Sequence, residues 1–236
     1  MSPIKDICIT GTDTDVGKSV LSLLVMKILR ANGLNPLYLK PFQTGCHSPT
    51  HPYSDPSFVL TLLGGGDESK DSVLYCFREA KAPYFAARDA GKKIDPAAFS
   101  SFIEEKRTLG RPLVVEGAGG ALVPVTERLN VIDLLAKEEN FVHIVAARAG
   151  LGTINHTLLT LEAMSNRGIT RPFVVFMDRD GSTDPVMIAE HMEAVERLTG
   201  IRAVASIGRM CCIETESDAM AERLLPLLRA LGVETA

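Results

Sequence analysis

The sequence predicts an α/β fold: a single doubly wound domain with a mostly parallel sheet. Three observations carry this. Short apolar runs alternate with stretches of helical periodicity along the chain. The runs are apolar throughout rather than at every second residue, which suits strands covered on both faces. No internal repeat, low-complexity tract or linker divides the 236 residues, so residues 1–236 are expected to form one domain.

Taken in order, Ile4–Thr10 reads as a buried strand. Val20–Ala31 repeats apolar residues at helical spacing and stops at Asn32-Gly33. Leu37–Leu39 is a second short strand, and Phe42–Leu63, rich in Pro, Ser, Thr and His, reads as one long irregular insertion. Within it, Asp55 is expected to cap a short helix that starts at Asp55-Pro56. Further strands are predicted at Leu113–Val115, Phe141–Ala147, Phe173–Met177 and Ile201–Ile207. Helices are predicted at Ala97–Lys106 after Asp95-Pro96, at Val131–Glu138 after Asn130, and at Ile154–Ser165, Pro185–Leu198 and Ala219–Ala230. In this architecture ligands gather beyond the C-terminal ends of the strands, so the segments that follow strands are where chemistry is sought.

Composition narrows the function classes. Hydrophobic residues make up 46% and charged residues 23%, close to globular averages. With 25 Lys and Arg against 29 Asp and Glu, the net charge is −4. That balance gives no global attraction to nucleic acid or an anionic membrane, so any bound anion needs a local device. Cys8, Cys46, Cys76, Cys211 and Cys212 have no framework spacing, which reads as reduced thiols in a cytoplasmic protein. Met1–Thr10 has too few apolar residues for a signal-peptide core, and no apolar run approaches the ~18 residues of a membrane span.

Four glycine-containing elements follow predicted strands. The sharpest is Gly11-Thr12-Asp13-Thr14-Asp15-Val16-Gly17-Lys18-Ser19, between a strand and a helix. Backbone N–H groups of such a loop wrap phosphate oxygens, Lys18 reaches the terminal phosphates, and Ser19 can hold Mg²⁺. Counting back from Lys18, the usual first glycine falls on Thr12, with Gly11 one residue early, so the spacing is a variant. The loop makes the predicted fold one of the phosphate-loop NTPase type. Second, Leu39-Lys40-Pro41-Phe42-Gln43-Thr44-Gly45 brings a lysine off a strand end, where it can neutralise charge on a transferring phosphoryl group or serve as a surface lysine before a turn. Third, Val114-Val115-Glu116-Gly117-Ala118-Gly119-Gly120 places a carboxylate where a Mg²⁺-organising residue is expected. Fourth, Ala149-Gly150-Leu151-Gly152-Thr153-Ile154-Asn155-His156 leads a strand into a helix, either as a carboxylate-binding helix N-terminus or as a tight turn. No pair of the histidines at 47, 51, 143, 156 and 191 has metal-ligand spacing with a third donor, and no nucleophile–base pair is legible. The reacting groups are therefore expected to belong to the substrates.

In combination and in this order, GTDTDVGKS, LKPFQTG, VVEGAGG and AGLGTINH resemble the dethiobiotin synthetase family over about two-thirds of the chain. The resemblance implies an ATP-dependent, homodimeric carboxylating cyclo-ligase that closes a ureido ring on 7,8-diaminopelargonate with CO2. It implies Lys40, Lys18 and Thr12 as catalytic residues. Nucleotide binding would fall to Asp15, Val16, Gly17, Lys18, Ser19 and Val20, to Asp55, and to Glu116, Gly117, Ala118 and Gly119. Ser19, Asp55 and Glu116 would organise Mg²⁺. Thr44 would contact the diamine or its carbamate. Gly150, Leu151, Gly152, Thr153, Ile154 and Asn155 would bind the substrate's tail carboxylate across the dimer interface. One departure stands out. Where the family usually has an adenine-reading Asn, this chain has Met177 or Asp178. Asp178 can accept from the adenine amino group and Met177 cannot; the backbone at Gly208, Arg209 and Met210 is the other candidate. Two other classes fit the sequence less well. A partitioning-type switch ATPase would carry a lysine near the start of the loop, where Thr12 to Thr14 stand. An amidating synthetase would need a glutaminase domain, for which 236 residues leave no room.

Overall fold

The computed structural model describes residues 5–65, 67–138 and 140–231. Along the chain run β1 (Asp6–Gly11), α1 (Lys18–Ala31), β2 (Leu37–Leu39), β3 (Phe42–Thr44), α2 (Asp55–Leu62), β4 (Tyr75–Phe77), α3 (Pro83–Asp89) and α4 (Pro96–Arg107). These are followed by β5 (Leu113–Glu116), α5 (Val131–Leu135), β6 (Phe141–Arg148), α6 (Thr153–Ser165), β7 (Phe173–Met177), α7 (Pro185–Thr199), β8 (Ala203–Ile207), α8 (Ile213–Ala221) and α9 (Leu225–Ala230).

The main sheet has the order β2-β5-β1-β6-β7-β8, and every neighbouring pair is parallel. The chain leaves β1 for the β2 edge, returns through β5, and then builds outward from β6 on the other flank. The order reverses beside β1, so the crevice for a ligand opens at the C-terminal ends of β1, β5 and β6. Register delivers the site: Ile9 of β1 lies opposite Glu116 of β5 and Ile144 of β6, with Thr10 and Gly11 next along β1.

Alternation along the buried strands feeds two cores. Ile7, Ile9, Val114, Ile144, Ala146 and Val175 pack on one face with Leu21, Leu24 and Ile28 of α1 and Leu224, Leu227 and Leu228 near the C-terminus. Cys8, Leu39, Val115, Val145, Val174 and Phe176 face the other way, against Phe99, Ile103, Leu161 and Val195. Burial on both faces is why these strands read as continuous apolar runs. Helix α1 is buried on most sides because α2 and α8 cover what the sheet does not.

All six predicted main-sheet strands are present with small shifts, although Ile4 of the first lies outside the described residues. The irregular insertion is corrected. It contains β3 and α2, and β3 pairs in parallel with β4, with Gln43 opposite Cys76. Phe42-Gln43-Thr44 lacks the all-apolar run that marks the equally short β2, and its partner lies some thirty residues on. Helix α3 was also not predicted, and α8 begins at Ile213 rather than Ala219. The capping expectation for Asp55 is corrected too. Ser54 is the cap: its backbone is extended (φ −78, ψ 146) and its Oγ accepts from the Ser57 N–H at 3.1 Å. Asp55 is the first helical residue, so its carboxylate is free for the site. Asp95 does cap α4, accepting from the Ala97 N–H at 2.9 Å. All five cysteines are free thiols. Among the described residues no helix is long and apolar enough to cross a membrane.

Candidate active site

The loop between β1 and α1 is held by backbone constraints. Gly17 has φ 106, and a Cβ there would come within 3.1 Å of Met177 Cε, so conformation and space both call for glycine. Lys18 is buried and curls back so that its Nζ donates to the Asp13 carbonyl at 2.9 Å. Burial first, and the neighbouring Lys40 charge second, lower the Lys18 ammonium to about 8, against the pull of Glu116 and Asp55.

Four elements meet beside this loop. Lys40 leaves the end of β2, Asp55 opens α2, Glu116 ends β5 and Ser19 begins α1. Lys40 Nζ lies 2.5 Å from Glu116 Oε1 and 2.8 Å from Asp55 Oδ2. Burial opposes its charge, but the two carboxylates outweigh burial and hold the ammonium above the usual lysine range. Burial likewise works against the Asp55 carboxylate, and Lys40 overcomes it, so that carboxyl sits below its ordinary value. Ser19 Oγ is 2.8 Å from Asp55 Oδ1 and 3.0 Å from Glu116 Oε1. Behind them, Tyr38 Oη donates to Glu116 Oε2 at 2.8 Å, and Ser22 Oγ stands 3.0 Å from the same oxygen. Burial, then the Glu116 charge, push the Tyr38 hydroxyl well above its ordinary pKa, so it remains a donor. Gln43 Oε1 accepts from the Asp55 N–H at 3.2 Å, which ties α2 to β3.

Lys18, Ser19, Lys40, Gln43, Asp55 and Glu116 line a cavity of about 640 Å³, with Tyr38 and Ser22 behind it. Of the residues singled out from sequence, it takes in Asp15, Gly17, Lys18, Ser19, Val20, Lys40, Thr44, Asp55, Glu116, Ala118 and Gly119. Others stand elsewhere. Thr12 is not on the lining; its N–H donates to the Ala146 carbonyl at 3.0 Å, which fastens the loop to β6. Val16 is buried in the core, and Gly117 is pinned behind the cavity by its N–H to the Ile9 carbonyl at 2.8 Å. Met177 is buried beneath Gly17, and Asp178 is held by Thr183, whose Oγ1 donates to Oδ1 at 3.0 Å. Met177 ends β7, Asp178 follows it, and Gly208, Arg209 and Met210 follow β8; the two segments adjoin where Gly181 approaches the Arg209 side chain. Arg179 ties this rim to the phosphate loop through the Asp15 carbonyl and also lines the cavity.

Gly150 to Asn155 lie at the start of α6, and none of them lines the cavity. Gly152, with φ 88, caps α6 without a side-chain bond, and Leu151 is 89% exposed. Thr153 is buried, its hydroxyl 3.4 Å from that of Thr157.

Reading the sequence for motifs missed Tyr38, Ser22, Gln43 and Arg179. Two of them left a trace. Tyr38 precedes Lys40 by two residues on an extended segment, the spacing that puts side chains on one face, and Ser22 follows Lys18 by one helical turn. Arg179 and Gln43 left none.

No cysteine or histidine lines the cavity, and among the described residues no three of His, Cys, Asp and Glu converge as a metal site. His143, whose buried ring is pushed down to about 4, lies within β6. What remains is a device for holding a polyphosphate and neutralising charge as it changes hands, at the switch of a parallel sheet. That defines a phosphate-loop nucleotide-dependent enzyme. The comparisons are of one kind with it. A family described as "AAA domain" matches residues 5–223. The chain is 37% identical to an ATP-dependent dethiobiotin synthetase BioD of Nitrobacter hamburgensis over 215 residues, which cover 91% of this chain and 94% of that one. It is 35% identical to the Bacillus cereus (strain G9842) protein of the same name over 195 residues, 82% of this chain and 78% of that one. The fold resembles the MinC:MinD cell division protein complex of Aquifex aeolicus, with TM-score 0.61, 10% identity, and coverage of 98% and 97% of the two chains. That likeness concerns the fold alone. The chain belongs to the ATP-dependent dethiobiotin synthetase family. It is an ATP-dependent ligase of biotin biosynthesis.

Proposed function

We propose that this chain, as one domain in a cytoplasmic homodimer, converts 7,8-diaminopelargonate, CO2 and ATP to dethiobiotin, ADP and phosphate with Mg²⁺. The observation that carries the reading is the cluster of Lys40, Glu116, Asp55 and Ser19 beside the phosphate loop. A first amine attacks CO2 and loses a proton, giving a carbamate. A carbamate oxygen attacks the γ-phosphorus and ADP leaves. The second amine then attacks the carbamoyl carbon and expels phosphate, closing the ring. Both nucleophiles belong to the substrate.

The residues fit Mg²⁺. Ser19 has one hydrogen for two carboxylate oxygens at 2.8 and 3.0 Å, so one of these close oxygen pairs lacks a proton between them. Clustered hard oxygens short of protons suit a divalent cation, and Mg²⁺ commonly takes one or two carboxylates plus substrate phosphates. Ser19, Asp55 and Glu116 would hold it, and it would supply neutralisation of the β- and γ-phosphate oxygens. Lys18 and the loop amides bind the terminal phosphates. Lys40, on the cavity lining and paired with both carboxylates, stabilises the carbamate and the transferring phosphoryl group. Thr44 holds the diamine or its carbamate. Alignment of this kind is worth ~7–11 kcal/mol. Asp178 and the backbone of Gly208 to Met210 read the base, since the Met177 side chain is committed beneath Gly17. The start of α6 in the second protomer receives the tail carboxylate.

The test is turnover of the purified protein with diaminopelargonate, bicarbonate, ATP and Mg²⁺. ADP and phosphate should appear only with the diamine present, together with the ring product. ATP hydrolysis independent of the diamine, with no ring formed, would sink the reading.

A further inference from the structure

The two oxygens of Glu116 have separate duties. Oε1 faces the cavity, 2.5 Å from Lys40 Nζ and 3.0 Å from Ser19 Oγ. Oε2 points back into the protein, toward Tyr38 Oη at 2.8 Å and Ser22 Oγ at 3.0 Å. Ser22 has a single hydrogen and a competing acceptor, the Lys18 carbonyl at 2.9 Å, so its donation is divided. The Tyr38 hydroxyl has the carboxylate as its acceptor, and its ring is fully buried in the core with Leu21, Leu24 and Val114. A phenol fixed by packing on this scale has no freedom to follow a carboxylate that turns. The carboxylate must stay where the phenol is.

We propose that Tyr38 is a positioning residue: it locks the Glu116 carboxylate so that Oε1 presents to the divalent cation of the reaction. This rests on the reading above that Glu116 helps to hold Mg²⁺. Without the Tyr38 donor, Oε2 keeps only the divided bond from Ser22, and Lys40 and Ser19 pull on Oε1 unopposed. Outer partners of metal-binding carboxylates act in this way, and their loss typically costs 10–100-fold in metal affinity.

The variant is Tyr38→Phe, which keeps the ring and removes the donor. Mn²⁺ serves as the probe, because its spin-resonance signal reports binding directly in the presence of ADP, without turnover. The expected result is Mn²⁺ affinity in the ADP complex lowered about tenfold or more. The Mg²⁺ concentration for half-maximal turnover should rise in step, while ADP affinity without metal stays within twofold or so of the parent. Ser22→Ala should show the same effect at smaller size, because its bond is shared. Unchanged Mn²⁺ affinity in Tyr38→Phe overturns the assignment. So does an equal loss of metal-free ADP binding, which would mark general disruption, or a larger loss in Ser22→Ala than in Tyr38→Phe. If the parent protein with ADP binds no Mn²⁺, the metal role of Glu116 falls and this inference with it.

Discussion

Two glycine-containing turns stand at the C-terminal edge of one sheet, after the adjacent strands β1 and β6, and they are finished to different degrees. The phosphate loop after β1 is complete within the chain. Lys18 is folded onto the Asp13 carbonyl, Arg179 braces the Asp15 carbonyl, and Lys40, Asp55, Glu116 and Ser19 already touch one another. The turn after β6 starts in the same way, with a strand end and a left-handed glycine at the helix cap, and its Thr153 N–H donates to the Gly150 carbonyl at 3.3 Å. Yet no residue from Gly150 to Asn155 lines the cavity, and Leu151 stands almost fully in solvent. A site for a highly charged ligand needs its counter-charges held in place by the protein. A site for a single carboxylate at a helix start needs only amides, which the helix supplies without help. In the dimer proposed above, the second turn is the one that the other protomer would use.

The largest expected effect comes from breaking the finished turn at its centre. Lys40→Gln should lower kcat by at least about 10²–10³-fold, with nucleotide affinity largely kept. Product formation at the parental rate would remove Lys40 from the chemistry. The same variant leaves the Glu116 and Asp55 carboxylates with only the Lys18 charge beside them, so its thermal midpoint should fall and recover when Mg²⁺ and nucleotide are added.

Next in size, Ser19→Ala removes a hydroxyl oxygen from between the two carboxylates. The Mg²⁺ concentration for half-maximal turnover should rise more than tenfold or so, since the loss of an outer partner alone costs about that much. A titration with unaltered Mg²⁺ dependence would contradict the proposed ligand.

The unfinished turn is tested from the other side. Leu151→Asp should weaken self-association, since burying a leucine is worth about 1.5–3 kcal/mol. In sedimentation the variant should dissociate at concentrations where the parent stays paired, and the KM for the diamine should rise as it does. A variant that remains paired with unchanged KM would separate this turn from the interface. The phosphate loop, made within one chain, should still bind nucleotide in the dissociated protein.

The smallest effect is a pH dependence of nucleotide binding. Lys18, lowered to about 8, is an ammonium below that pH and neutral above it. A polyphosphate favours the ammonium, so affinity should be full below pH 8 and fall as pH rises through it. The fall approaches tenfold per unit at the limit. Because the bound anion raises the pKa, binding above pH 8 should take up protons, visible as a buffer-dependent heat in calorimetry. Affinity that rises between pH 8 and 9 would give the wrong sign.

Legibility of the site follows the same contrast. The four glycine elements, Lys18, Ser19, Lys40, Glu116 and Thr44 are local signals: each sits where a strand ends, and each could be marked without knowing any contact. Asp55 was marked as well, but its local rule pointed to capping. Ser54 takes the cap, and that frees Asp55 for Lys40. Gln43 and Arg179 join the site through bonds to Asp55 and Asp15, spanning 12 and 164 residues. The strands β3 and β4 were missed because they stand outside the main sheet and each finds its edge only in the other.

The four motifs together carried the resemblance to the family, and apolar runs and glycine punctuation, read alone, were enough for the parallel sheet, most of its helices and the phosphate loop. These rest on periodicity and local backbone chemistry, which the chain carries at every point along its length. Tertiary structure alone decided which oxygen of Glu116 faces the cavity, that Tyr38 stands behind it, and that Thr12, Gly117 and Met177 sit off the cavity lining. It also decided that one glycine turn closes around a site and the other opens to solvent. Such outcomes turn on differences of an ångström between segments brought together only by folding, and neither spacing nor composition encodes them.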